Sequence, residues 1–312
     1  MELHMTKVIY AHVREDIRPI CEASNSTRAK YIKGDRFIPY PRVEIILNEI
    51  DFLITQPPQP RATGIVVMGG PGAGKTTIAM ATMRRVALLP SFVEGVPQQR
   101  IVSITMTGAR EARMIYNQIL EALGSPVKSG MRPEDQESLV FRLLAQAGTR
   151  LLIVDEIQDL INSTKRQALI ALDTIKLLMN KQRLAVLALG VPKAAEAMMR
   201  NEHLNTRFKY MALTSWKAND DARDLLAALE EALPLRKPSH LDSPAMTKLI
   251  VKQGKGVLSN IVRLVNDAAL WSIVSGQEFI DEELISKAFE SAPPATVFGE
   301  SLPVRNENVV AK

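Results

Sequence analysis

A single cysteine, Cys21, stands in a chain of 312 residues. An internal disulfide framework is therefore excluded, which fits a reducing cytosol. No histidine is suggested beside it, and Cys21 reads as an ordinary thiol rather than a nucleophile. Also missing is any uninterrupted apolar run of membrane-spanning length, so no membrane partner is expected. His4, Lys7, His12 and Arg14 break up the stretch where a secretory core would lie, and a cytoplasmic location is the expectation. No internal repeat with a period of about 20–50 residues is visible. Neither sign of charge dominates: 39 Lys and Arg against 34 Asp and Glu leave a formal charge of +5. This mildly basic balance admits an anionic partner without requiring one. The length accommodates one substantial core and a smaller domain.

What is present is concentrated in one stretch. The apolar run Ile65-Val66-Val67-Met68 is followed by Gly69-Gly70-Pro71-Gly72-Ala73-Gly74-Lys75-Thr76-Thr77, which leads into a helix-like segment to about Leu88. Gly69 and Gly74-Lys75-Thr76 have the spacing of a phosphate-binding loop in its strand–loop–helix setting. Glycines let the backbone curl around phosphate oxygens with no Cβ in the way. The amides then point inward, and the helix turns its positive end to the anion. Gly70, Pro71, Gly72, Ala73, Gly74, Lys75, Thr76 and Thr77 are thus candidate nucleotide-binding residues. Lys75 is placed to reach the β- and γ-phosphates, and the Thr76 hydroxyl to ligate Mg²⁺.

A second motif supplies the chemistry. Leu151-Leu152-Ile153-Val154 reads as a buried parallel strand ending in Asp155 and Glu156. Asp155 at its tip is placed to hold Mg²⁺ through water. Glu156, pointing differently, is placed to orient and polarise the attacking water. Together the motifs point to a site that hydrolyses ATP with Mg²⁺.

Around these motifs the chain alternates. Val43, Ile46, Leu47, Ile50, Leu53 and Ile54 share one face of a helix beginning near Arg42. Further strands are predicted at 101–106, 184–189 and 208–213, with helices at about 111–123 and 133–147, after a polar turn Ser163-Thr164-Lys165-Arg166 to about Asn180, and from Pro192 to about Arg200. This alternation predicts a parallel sheet with helices on both faces. From Ala218 onward the pattern is helical only, at about 219–233, 243–253, 257–275 and 281–290. The expected domains are a basic arm over 1–41, an α/β domain over 42–216, a helical lid over 217–290 and a disordered tail over 291–312. In the arm, Arg28, Lys30, Lys33, Arg36 and Arg42 interleave with Tyr31, Phe37 and Tyr40. Contact with nucleic acid and a solvated arm over the nucleotide pocket both account for that pattern. Arg110 and Arg113 stand where a helix starts, a position opposed by its dipole. DNA phosphate contact and a solvated helix start are both open there.

The order of parts resembles the AAA+ ATPases, with a parallel five-stranded sheet and a smaller C-terminal helical lid. Within that class the chain resembles the TniB family of transposon ATP-binding proteins, related to TnsC and MuB. The matching residues are Tyr40-Pro41-Arg42; Leu151 to Asp159; Leu189-Gly190-Val191-Pro192-Lys193-Ala194; and Leu204-Asn205-Thr206-Arg207-Phe208 with Leu213-Thr214-Ser215-Trp216. The resemblance covers roughly 28–290. It implies an ATP-dependent homo-oligomer on duplex DNA that recruits or activates a DDE transposase, with a TniQ-like adaptor as a further partner. It also implies that Arg207 reaches a neighbouring subunit's γ-phosphate, with Arg200 as runner-up. Basic positions Arg110, Arg113, Lys165 and Arg166 would track the DNA backbone. Ile38 and Pro39 would flank the adenine. An AAA+ signalling or secretion-associated switch that binds no DNA is the alternative. Two departures stand out: the fourth strand ends in Gly190-Val191 where such ATPases carry a polar sensor, and the lid lacks the usual arginine near Gly256, leaving Arg263 one turn later. Hydrolysis is therefore expected to be slow or completed by a partner.

Overall fold

The computed structural model describes residues 10–57, 59, 61–88, 99–107, 111–127, 130–160, 163–199 and 205–299. They form two compact units: one from residues 42–214, the other from the N-terminal residues up to Pro41 together with those from Ser215 onward.

The first unit is built on strands β1 (Gly64–Gly69), β2 (Ile101–Thr105), β3 (Leu151–Asp155), β4 (Ala185–Gly190) and β5 (Phe208–Leu213). Their order is β2-β3-β4-β1-β5, and every pairing is parallel. All six residues of β4 are buried, as are the first four of β1 and of β3. Strands covered by helices on both faces read this way, as continuous apolar runs. The edge strands β2 and β5 carry exposed residues between buried ones. Helices α3 (Pro41–Thr55), α4 (Lys75–Ala87), α5 (Ala112–Ala122), α6 (Pro133–Gln146), α7 (Lys165–Gln182) and α8 (Pro192–Met199) belong to this unit. Val43, Ile46, Leu47, Ile50 and Ile54 form the buried stripe of α3. On its flank, Glu44 and Asp51 hold Arg85 of α4 at 2.5 and 2.9 Å. Because all strands run the same way, their C-terminal ends gather Gly69–Gly74, Asp155–Gln158 and Gly190 at one edge, where α/β sheets bind ligands.

The second unit comprises α1 (Arg18–Cys21), α2 (Asn25–Lys33), α9 (Asp220–Glu231), α10 (Pro244–Gln253), α11 (Leu258–Ser275), α12 (Glu282–Glu290) and a 3₁₀ turn over Ala295–Phe298. Here the expectation of a free basic arm is corrected. Residues 10–41 are part of this helical unit, and the cations of α2 and its exit are engaged inside it. Arg28 is fully buried. Its Nε donates to the Pro234 carbonyl at 2.9 Å, and its two terminal nitrogens donate to the two Glu278 oxygens. Lys33 pairs with Asp267 at 2.5 Å, while Arg36 donates to the Ala232 carbonyl and to Asn266 Oδ1. The tail expectation is likewise corrected over 291–299. Val297 is buried, and Ser26 Oγ donates to the Phe298 carbonyl at 2.5 Å. The four helices predicted from Ala218 onward begin and end within about two residues of their predicted positions.

Burial alone would raise the Glu278 carboxyl, but hydrogen bonds and charge from Arg28 and Arg236 outweigh it and hold its pKa below the ordinary 4.5. A carboxyl depressed by folding stabilises the native state above its unfolded pKa and loses that contribution as pH falls through the folded value. Glu278→Gln strands the buried Arg28 charge, and removing one partner of such a pair costs about 3–5 kcal/mol. Chemical denaturation at pH 7 will show this loss. Below pH 4.5 the wild-type stability will fall towards that of the variant.

Candidate functional site

The chain leaves β1 at Gly69 and turns through Gly72 and Gly74, both in the left-handed region with φ of 71° and 96°. An L side chain resists those angles, so the turn depends on glycine there. Gly74 caps α4, with no side-chain hydrogen bond at the cap and no acid in the first turn. The first amides of α4 are thus left to meet an anion. The Lys75 ammonium folds back onto the loop, donating to the carbonyls of Gly69 at 2.9 Å and Gly70 at 3.1 Å. Thr76 and Thr77 are exposed beside it. An uncapped helix start and a lysine satisfied only by loop carbonyls fit a polyphosphate.

Two strands away, Asp155 ends β3 half-buried, its Oδ1 accepting from the Glu156 amide at 2.8 Å. Glu156 has φ 56°, uncommon for a residue with a Cβ. Strain of this kind, about 1–3 kcal/mol, gathers at functional positions. A 3₁₀ turn follows over Ile157–Leu160, with the Asp159 amide donating to the Glu156 carbonyl at 3.0 Å. From this turn Gln158 Nε2 donates to Glu156 Oε2. No group of three or more His, Cys, Asp or Glu able to hold a metal occurs among the described residues. A magnesium ion would rest on Thr76 and Asp155 with phosphate and water completing its shell, the usual arrangement for that ion.

The end of β4 between these strands explains the missing sensor. A Cβ on Gly190 would fall inside the van der Waals shell of Ile157 Cγ1 and lie 3.1 Å from Gln158 Oε1. The 3₁₀ turn occupies the space that a polar side chain would need. Gln158, quoted in the sequence as part of a motif and given no role there, thus joins the site. Only a side chain two residues beyond Glu156, combined with a glycine ending the fourth strand, hinted at it.

The remaining predicted residues are dispersed. Arg207 sits just before β5 at the opposite edge of the sheet, where its carbonyl accepts from the Gly64 amide at 2.9 Å. Five residue steps of β1 at about 3.3 Å each put it about 17 Å from the loop of its own chain. Its Nη1 donates to Asn180 Oδ1 at 2.6 Å, and its Nε is buried without a partner among the described residues. Arg113 on α5 and Lys165 and Arg166 on α7 are exposed, none has an ion-pair partner among the described residues, and all lie in the first turns of helices that start at the loop's edge of the sheet. A capping box of Thr164 and Gln167 holds the start of α7 despite its two cations. Arg110 and Arg200 lie outside the described residues. Ile38 and Pro39 belong to the helical unit; Ile38 packs on its cluster of Tyr10, Val13, Ile17, Cys21 and Ala232, and Pro39 is exposed. Arg263 is exposed on α11.

The sheet order, the glycine loop and the acid pair define a P-loop ATPase fold of the AAA+ class. Solved structures with that fold are similar to the chain. Cdc6p from Pyrobaculum aerophilum is 17% identical with a TM-score of 0.61, over 85% of this chain and 71% of that one. The Aeropyrum pernix ORC2 protein, in its ADPNP–ADP complexes, is 17% identical with a TM-score of 0.58, over 84% and 71%. Drosophila ORC bound to DNA gives 17% and 0.58, over 86% and 65%. Comparison with curated proteins returns no match. The family model described as Bacterial TniB protein matches residues 28–218, and the chain belongs to the TniB family. Among the described residues, no single helix is long and apolar enough to cross a membrane.

Packing at the loop and at β4 generates contrasting expectations. Gly190→Ala forces the 3₁₀ turn aside and will cost about 1–3 kcal/mol, the usual penalty of overpacking. Gly70→Ala meets nothing within 4 Å and will stay within about 0.5 kcal/mol of wild type. Thermal melts of the two variants without nucleotide make the comparison.

Proposed function

We propose that the protein is an ATP-dependent DNA-binding regulator of transposition, which assembles on target duplex and recruits or activates a DDE transposase. The observation that supports this best is a shared edge. The uncapped start of α4, the Asp155–Glu156 pair and the exposed cations Arg113, Lys165 and Arg166 all lie where the parallel strands end. Membership of the TniB family and a fold like that of the Drosophila ORC structure bound to DNA add weight.

Magnesium ATP would supply the scissile phosphoanhydride and an electrophilic γ-phosphorus. The loop amides and Lys75 bind and orient the triphosphate, while Thr76 and Asp155 hold the cation. Glu156 takes a proton from the attacking water through its carboxylate. Arg207, too distant from its own loop, serves the loop of the next subunit, where a guanidinium neutralises charge on the transferred group. ATP would thus join subunits into an oligomer. The Arg113, Lys165 and Arg166 side chains would meet DNA phosphates without reading sequence. A TniQ-like adaptor fits the same assembly.

Lys75→Ala will abolish nucleotide binding and DNA-dependent assembly. Glu156→Gln will retain binding and lower hydrolysis by about 10²–10⁴-fold, the usual scale of a lost general base. Arg207→Ala will keep nucleotide affinity and lose assembly-stimulated turnover. Fluorescent-nucleotide titration, phosphate release and electron microscopy on duplex DNA report these outcomes. Equal assembly by the Lys75 variant would contradict the reading. If each of the three cations neutralises one phosphate, replacing all three with alanine flattens the logarithmic salt slope by about 2.7 per subunit. An unchanged slope assigns DNA contact elsewhere and favours the signalling alternative.

A further inference from the structure

Gln158 lies two residues beyond Glu156, in the 3₁₀ turn that follows β3. Its side chain is anchored at one end only. Nε2 donates to Glu156 Oε2, while Oε1 is buried with no hydrogen-bond partner among the described residues. A buried acceptor left unpaired costs about 1–3 kcal/mol. A residue retained for stability alone would have that oxygen satisfied or be replaced by an apolar side chain. Here the amide makes a single hydrogen bond, and it goes to the carboxylate beside the metal-site aspartate.

The geometry around it was cleared for that purpose. β4 ends in glycine, and Oε1 lies 3.1 Å from where a Cβ on Gly190 would be. Any larger residue at 190 would push out both Ile157 and the amide. Glycine at 190 and glutamine at 158 are therefore one arrangement. The polar group at the end of the fourth strand is supplied by the turn after the third. The Glu156 backbone is held at φ 56° by the Asp155 side chain and the 3₁₀ turn, and the hydrogen bond from Gln158 restrains its carboxylate. We infer that Gln158 is a positioning residue for hydrolysis, fixing the Glu156 carboxylate through its amide N–H in the place left by the absent β4 side chain. Fixing a general base matters because small misplacements of a reacting group reduce rate steeply. In the step served, water oxygen bonds to the γ-phosphorus, its proton passes to Glu156, and the bond to the β–γ bridging oxygen breaks with its electron pair leaving on ADP.

This inference rests on the reading of Glu156 as the water-activating carboxylate, and the experiment separates the two. Steady-state ATP hydrolysis and fluorescent-nucleotide affinity are measured on the full chain for wild type, Lys75→Ala, Glu156→Gln, Gln158→Ala, Gln158→Met and the double variant Glu156→Gln/Gln158→Met. Methionine fills the glutamine's space without a donor. Gln158→Met will lower kcat by about 10–100-fold, the range in which small geometric losses fall, while KM and nucleotide affinity stay within two-fold and the melting temperature does not fall. The double variant will be no slower than Glu156→Gln alone, since a positioning residue adds nothing once its carboxylate is gone. Wild-type kcat in Gln158→Met, with Lys75→Ala and Glu156→Gln inactive, overturns the inference and leaves the proposed site intact. A loss in the double variant equal to the product of the single losses also overturns it. Wild-type turnover in Lys75→Ala and Glu156→Gln overturns the functional reading itself.

Discussion

Much of the site follows from the place of β4. It lies between the strand that delivers the glycine loop and the strand that delivers Asp155 and Glu156. Neighbouring strands stand about 4.8 Å apart, so the loop and the acids are separated by about 10 Å. That gap is too wide for the acids to pair with Lys75. Lys75 instead rests on the carbonyls of its own loop. Whatever ends β4 stands in the middle of this gap, which makes Gly190 a choice with consequences on both sides. It admits the turn that carries Gln158, and it leaves no side chain at the end of the strand.

Charge placement divides along similar lines. Cations that the fold uses are buried or paired, as Arg28, Lys33, Arg36 and Arg85 show. Cations at Arg113, Lys165 and Arg166 are exposed at helix starts, where the dipole works against them. The capping box at Thr164 offsets part of that cost for α7.

Legibility in the sequence tracked the physics of each element. The glycine loop and the apolar strands β1, β3 and β4 carry strong local signals, since φ values at Gly72 and Gly74 demand glycine and doubly covered strands demand continuous apolar runs. The four helices after Ala218 were legible as a helical pattern. Helix α2 was not, because its buried face is Arg28, Ala29 and Ile32, and a buried arginine reads as a surface residue until its partner is known. That partner, Glu278, is 250 positions away. The turn at Ala295–Phe298 was missed for the same reason, since Val297 alone carries its burial. In the site, Asp155 and Glu156 announced themselves at a strand tip. Gln158 did not, because its importance depends on the residue missing from β4. The packing of Ile38 on a cluster formed with Ala232 is a pairing no local pattern reveals.

The route of the chain has a consequence for its biosynthesis. Residues 42–214 are continuous, so the sheet unit has all its strands as soon as that stretch leaves the ribosome, and domains commonly fold as units in that order. The helical unit is sewn from both ends of the polypeptide. Until Glu278 emerges, the guanidinium of Arg28 has no carboxylate to accompany it into the interior, and α2 has little apolar surface to hold it in place. A nascent chain therefore completes its sheet unit first and carries an unfinished helical unit until Glu278 has been made.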